Sequence, residues 1–477
     1  MDVPSLEFLI FGALVALAIN ISKRPLWRRS VLLVANVAFL ASFGLGPLQF
    51  APFAGLLALG YAAVTWLEAR KSRTVFVAFI MVFVVAFCWL KQYTFVPHTL
   101  FLRQPYFIVG MSYVFFRILH LVIDAYQDAL PERPNIFAYL AYTLNFTALV
   151  SGPIQFYKDY LQTESRAPAH LDLGIAGQAF QRIILGFFKV SIVSPALYWI
   201  FQRSIAALTA SSSLGDRAWP ATFILAVFPV YIYSNFSGYM DVVIGVARFL
   251  RLELPENFNR PFTSEGFIEF WGRWHMTLSN WMRTYVYSPL LLKLMYRFPS
   301  SRIQPLLGVF CYFIAFFLIG VWHGRTLMFV ILGVMLGFGV SINKVYQIAM
   351  VSQIGRTRYA ALCANPIYSA VSRGLTFSWF AISSLWFWAT WPQLSHLTTI
   401  LGVGGCTLTL LLMLLGATLV LFGLKIVYAR ADEATGQEPR PMFGALRTAW
   451  YTTLAVVTVS VAVALNSPAP HIVYRAF

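Results

Sequence analysis

The chain has 477 residues, 59% of them hydrophobic and 11% charged, with a formal net charge of +17. Soluble domains carry about 25% charged residues, so most of this chain is excluded from that class. A nucleic-acid binder gathers its basic residues on one solvated face, whereas here they are spread through short loops between apolar runs.

A membrane span needs about 20 mostly apolar residues, because the hydrocarbon core is roughly 30 Å thick. Runs of that kind lie near 6–21, 31–47, 51–68, 74–92, 106–126, 136–152, 177–201, 219–249, 304–322, 326–347, 372–391, 399–427 and 446–465. They predict an all-α polytopic membrane protein of roughly 11 to 13 transmembrane helices. Barrel strands would be shorter and would alternate. The basic loops KRPLWRR (23–29) and ARKSR (69–73) and the 425–447 segment match the cytoplasmic excess of Lys and Arg in polytopic proteins. The first two flank two spans, so both are expected in the cytoplasm, with MDVPSLE outside and the first span retained. Cys88, Cys311, Cys363 and Cys406 are far apart with no CxxC pair, which predicts no disulfide framework and no metal site.

Polar residues interrupt the apolar runs at four places. In MSYVFFRILHLVIDAYQ (111–127), Arg117, His120 and Asp124 share one helix face at i, i+3 and i+7. An internal ion pair or hydrogen-bonded triad is the expected role. In PVYIYSNFSGYMDVVIGVARF (229–249), Asn235, Ser237, Tyr239 and Asp241 crowd one stretch. They read either as polar glue between helices or as lining of a cavity. Glue is favoured at Ser237 and lining at Asn235 and Asp241, and all three stay candidates for lining.

The third place is the linker 251–303, which contains FWGRWHMTLSNWMRTYVYSPL (270–290). Pro255, Pro261 and Pro289 break or start helices there. Trp271, Trp274, Trp281, Arg273, Arg283 and His275 suit short interfacial helices or a re-entrant segment. The segment is either an anchor with snorkelling arginines or a cavity wall. The fourth is FLIGVWHGRTLMFVILGVMLGFG (317–339), where His323 and Arg325 stand in an apolar run. Ionisable groups at membrane depth are costly and mark function by default; a structural histidine between two helices is the other reading. Gly320 and Gly324 bracket His323 as GxxxG, small residues that let helices approach closely or let a helix break beside a ligand.

The order FSGYMD (236–241), PENFNRPF (255–262), FWGRWHMTLSNWMR (270–283) and GVWHG (320–324) resembles the membrane-bound O-acyltransferase superfamily. Within it, the bacterial alginate O-acetylation and teichoic acid D-alanylation type is the most similar branch. SGPIQFYKDY (151–160) and VIDAY (122–126) resemble earlier motifs of that branch, and the likeness covers roughly 105–345. The resemblance implies a helical bundle around a central funnel that opens to the cytoplasm. It divides the chain into N-terminal helices (1–104), a catalytic core (105–347) and C-terminal helices (348–477). His323 matches the family's catalytic histidine. His275 matches its second functional histidine, where many relatives carry Asn or Asp. Asn235, Ser237, Asp241, Arg273, Trp274 and Trp322 are candidates for cavity lining. Two departures from the pattern bear on substrate identity: Thr284 stands where an Asp is common, and Val334-Met335-Leu336-Gly337 where bacterial relatives carry a further His.

Acyl transfer from a thioester to a hydroxyl needs a base, and imidazole titrates near working pH. His323 is expected to be that base. His275 is expected to orient it, hold a water or stabilise the oxyanion. There is no GxSxG elbow to support a serine triad. The resemblance implies no bound cofactor, a cytoplasmic acyl-CoA or acyl-carrier-protein donor, and an exported polysaccharide acceptor. It also implies an SGNH-type partner outside and residence in the bacterial inner membrane. D-alanyl transfer to an anionic envelope polymer is the alternative activity. A transporter without chemistry is the alternative class; such proteins often show duplicated halves, and none is seen here.

Overall fold

The computed structural model describes residues 1–165, 173–211, 213–435 and 441–465. The described residues are helical with no strand, in this order: α1 (Leu6–Asn20), α2 (Pro25–Ala41), α3 (Pro47–Ala69), α4 (Arg73–Leu90), α5 (Met111–Gln127), α6 (Ile136–Thr143), α7 (Tyr157–Ser165), α8 (Leu173–Phe188), α9 (Ser194–Ala210), α10 (Leu214–Phe249), α11 (Phe267–Trp271), α12 (Met276–Met282), α13 (Ser288–Arg297), α14 (Gln304–His323), α15 (Leu327–Ile354), α16 (Arg356–Ala364), α17 (Pro366–Trp388), α18 (Trp391–Thr435) and α19 (Pro441–Leu465). Local chemistry sets several of the starts. The Ser5 hydroxyl accepts from Phe8 N–H ahead of α1, and prolines occupy the first turn of α2, α3, α13, α14 and α17, where the missing N–H costs nothing.

Seven helical stretches among the described residues are long and apolar enough to cross a membrane: Pro47–Ala69, Arg73–Leu90, Leu173–Ala210, Leu214–Phe249, Gln304–His323, Leu327–Ile354 and Trp391–Val427. The shorter α1, α2 and α5 coincide with further predicted spans. The predicted span 136–152 holds only the eight-residue α6, because Asn145 turns its side chain onto Thr147 N–H and hydroxyl and the chain leaves the helix. The predicted spans at 106–126 and 372–391 are α5 and α17, whose polar residues are largely inside the protein. The predicted span 399–427 is part of the longer α18, with Gly402 at φ 61°.

The chain forms two compact units that are interleaved along the sequence. One holds Met1–Ser191, Asn235–Glu256 and the described residues from Leu454 on; the other holds Ile192–Ser234 and Asn257–Thr453. In the first unit the rings of Phe8, Phe39 and Phe146 meet at about 6 Å, joining α1, α2 and the turn after α6. In the second, Leu225, Phe377, Ala381, Met413, Ala417 and Leu421 form one buried cluster between α10, α17 and α18.

Candidate active site

His323 ends α14, and two glycines fix where it sits. A Cβ on Gly320 would lie 2.2 Å from Gly333 Cα of α15, so the backbones of α14 and α15 touch there. A Cβ on Gly324 would lie 2.2 Å from the Phe329 ring, so the turn into α15 folds tightly back on itself. The imidazole is buried, with ring centroids 4.8 Å from Trp322 and 5.1 Å from Phe387 of α17. Its Nδ1 lies 2.6 Å from Ile319 O. A carbonyl can only accept, so Nδ1 carries the hydrogen and Nε2 presents its lone pair.

His275 is held by a different device. Asn259 N–H donates to Arg273 O (2.9 Å) and Met276 N–H to Asn257 O (3.0 Å), around one antiparallel bridge between Phe258 and Trp274. At the end of this clamp His275 takes left-handed backbone angles, φ 44° and ψ 49°, and caps α12. That conformation costs a non-glycine residue roughly 1–2 kcal/mol and is concentrated at functional positions. Asn257 Oδ1 then accepts from Thr277 N–H (3.1 Å), Thr277 hydroxyl (2.9 Å) and His275 Nδ1 (3.2 Å). The Thr277 N–H can only donate, so the atom facing it is the amide oxygen and His275 Nδ1 carries the hydrogen. The second imidazole therefore also presents Nε2 as an acceptor. Burial holds its pKa well below 6.5, and a charge on nearby His323 would lower it further, so the ring is neutral. The Trp322 ring is close to both, 6.4 Å from His275 and 4.8 Å from His323.

The remaining candidates divide. Trp274 is buried in an aromatic cluster with Phe258, Phe270 and Phe380 at 5.2, 5.5 and 4.8 Å, which makes it the packing support of the clamp. Arg273 is one-third exposed and bonded to Glu269 (2.8 Å) and Thr263 (3.3 Å). Asn235, Ser237 and Asp241 lie in the first unit. Asn235 is fully buried. Ser237 precedes Gly238, which meets Gly186 of α8 backbone to backbone. Asp241 bonds Arg182 (2.9 Å) and Lys189 (2.6 Å), an ion-paired setting rather than a bare wall. The Arg117 guanidinium meets backbone carbonyls. Arg117, 1% exposed, donates to Thr143 O (2.9 Å) and Ala148 O (2.6 Å). His120 accepts from Tyr157 N–H (3.1 Å).

Sequence reasoning passed over Asn257, although it lies in the quoted PENFNRPF. It also passed over Arg182 and Lys189. A lone acid in a span does imply a cation on a neighbouring helix, and Arg182 and Lys189 are the two basic residues in the 177–201 run.

The sequence profile of the membrane-bound O-acyltransferase family matches residues 59–372. The chain is 29% identical over 286 residues to the teichoic acid D-alanyltransferase of Bacillus subtilis (strain 168), covering 58% of this chain and 69% of that one. It is 26% identical over 429 residues to the probable alginate O-acetylase of Pseudomonas aeruginosa, covering 84% and 77%. With the corresponding protein of Azotobacter vinelandii it shares 29% over 243 residues, 50% of this chain and 45% of that one. With its matched profile and its apolar helices, the chain belongs to the membrane-bound O-acyltransferase family and is a multi-pass membrane acyltransferase.

Proposed function

We propose that this chain transfers a short acyl group, acetyl, from a cytoplasmic thioester towards hydroxyls of an exported cell-envelope polysaccharide, with His323 as general base. The observation that carries the reading is the pair of buried imidazoles near Trp322, each with its Nδ1–H committed and its Nε2 turned into an acceptor. His323 Nε2 takes the hydroxyl proton as the oxygen attacks the thioester carbonyl. The C–O bond forms, the C–S bond breaks, and the proton passes to the departing thiolate, which leaves as a thiol. His275 in this tautomer offers a lone pair and no hydrogen. It therefore suits holding the acceptor hydroxyl or a water, and it suits stabilising the oxyanion poorly.

The donor is acyl-CoA or an acyl-carrier protein, and the membrane is the bacterial inner membrane. An SGNH-type partner outside completes delivery to the polymer. Acetyl is favoured over D-alanyl because the alignment to the O-acetylase runs over 84% of this chain and that to the D-alanyltransferase over 58%. The test is transfer of radiolabelled acetyl from acetyl-CoA and from acetyl-carrier protein, with D-alanyl-carrier protein in parallel, using the purified protein in lipid nanodiscs. Acetyl transfer that is lost in His323→Ala supports the reading. Transfer of D-alanyl alone, or full acetyl transfer by the variant, overturns it.

A further inference from the structure

In the first unit, α1 and α8 both press on α10 through glycines. A Cβ on Gly12 of α1 would come within 2.8 Å of Val246, and one on Gly245 of α10 within 2.6 Å of Ile183. Two helices seated side by side on a third leave a channel between their outer faces. Here it is a groove of about 750 Å³, walled by Leu9, Ala13 and Leu17 of α1, Phe180 of α8 and Phe249 of α10, and closed at one end by Asn20 and Arg251. From residue 9 to residue 20 a helix rises about 16 Å, close to half of the roughly 30 Å hydrocarbon core. The groove is one leaflet deep and apolar throughout its length.

Its polar end is lined by Asn20 and the basic Arg251. Arg251 follows the last turn of α10 at φ 58°, a position that glycine normally fills. Arg28, 6% exposed at the start of α2, feels the charge of Arg251. The neighbouring carboxylate, Glu164, is already engaged by Arg29 at 2.6 and 3.1 Å. The buried Nε atoms of Arg28 and Arg251 meet no acceptor among the described residues. A buried Nε–H without an acceptor is costly, and a phosphate satisfies a guanidinium with paired hydrogen bonds. Trp27, exposed and with its indole N–H on Ala18 O (2.9 Å), places this end at the headgroup level, where tryptophan concentrates. The same turn carries KRPLWRR (23–29), the kind of basic loop that meets the anionic cytoplasmic leaflet.

We propose that the groove holds one anionic phospholipid, an acyl chain lying along α1 and the phosphate seated on Arg251, with the positive charge of Arg28 nearby. The site is independent of the acyl-transfer reading.

The experiment is native mass spectrometry of the delipidated full chain in detergent, titrated with phosphatidylglycerol, phosphatidylcholine or glycerol phosphate. Phosphatidylglycerol is expected to bind about tenfold more tightly than phosphatidylcholine, with glycerol phosphate failing to compete. R251Q should erase the preference. A13W, at an exposed groove position, should lower retention of phosphatidylglycerol without moving the unfolding temperature in lipid-free detergent. Equal binding of the two lipids overturns the proposal. So does an unchanged preference in R251Q, full retention in A13W, or competition by glycerol phosphate, which would mean a free-anion site. Should R251Q fail to fold, the A13W and competition arms decide.

Discussion

The Oδ1 of Asn257 collects three hydrogens, from His275 Nδ1 and from the N–H and hydroxyl of Thr277. Asn257→Ala strands all three, and stranding a buried donor costs about 1–3 kcal/mol. The variant should therefore unfold at lower temperature, and the fraction that folds should have lost the fixed His275 tautomer. Asn257→Asp restores acceptors but adds a negative charge beside the ring, so it should keep stability better and carry an activity profile shifted to higher pH. Equal behaviour of the two variants would dismiss the tautomer argument. A second prediction concerns acid. The folded-state pKa of His275 is depressed, so below about pH 6.5 the unfolded chain takes up a proton that the folded chain refuses. This group alone removes about 1.4 kcal/mol of stability per pH unit in that window. The unfolding midpoint should fall from pH 7.5 to 5.5, and His275→Asn, which tolerates the left-handed backbone, should flatten the slope. An undiminished slope in that variant would place the acid sensitivity elsewhere. His323 was legible in the sequence because an ionisable group in an apolar run has no cheap explanation. Asn257 was not, because an uncharged amide in a proline-flanked loop carries no such penalty until its three donors are seen.

The α14–α15 hairpin depends on Gly320 meeting Gly333, with no volume for a side chain between the backbones. Gly320→Val should push the helices apart and displace His323 by an amount that matters, since misplacing a reacting group by about 1 Å can cost 10²-fold. Folded yield should drop, and any folded protein should have lost transfer activity; normal activity would show that the hairpin does not position the base. The GxxxG spacing left open a close approach or a helix break, and the structure has both: Gly320 meets Gly333, and Gly324 follows the last residue of α14. Arg117 teaches a related lesson. Its spacing from Asp124 suggested a pair on one helix face. The structure instead turns the guanidinium onto carbonyls at and beyond the end of α6, because helix ends leave carbonyls unpaired and a planar fork can bridge two of them. Arg117→Lys keeps the charge but cannot span Thr143 O and Ala148 O. It should lower the unfolding temperature measurably, and an unchanged midpoint would contradict the bridging role.

At the scale of the whole chain, the hydropathy and the sparse charge were enough for a helical membrane protein. They could not show that the predicted span 136–152 holds the short α6 and a turn at Asn145. The distribution of basic residues carries separate information, because charge stays where the aqueous phase is. In the first unit, Lys71 of the second basic loop is tied to Asp128 at the end of α5 (2.7 Å) and to Ala125 O, while Arg29 of the first is tied to Glu164 of α7. If α2 and α3 together cross the membrane out and back, residues 23, 71 and 128 share one aqueous face. Single cysteines replacing Lys23, Ser72 and Asp128 in a background freed of Cys88, Cys311, Cys363 and Cys406 should then react with a membrane-impermeant maleimide only in inside-out vesicles, all three together. Labelling of position 23 from the opposite side to position 72 would break the α2–α3 hairpin as a transmembrane pair. It would also move the basic turn, and with it the Arg251 end of the lipid groove, to the other leaflet.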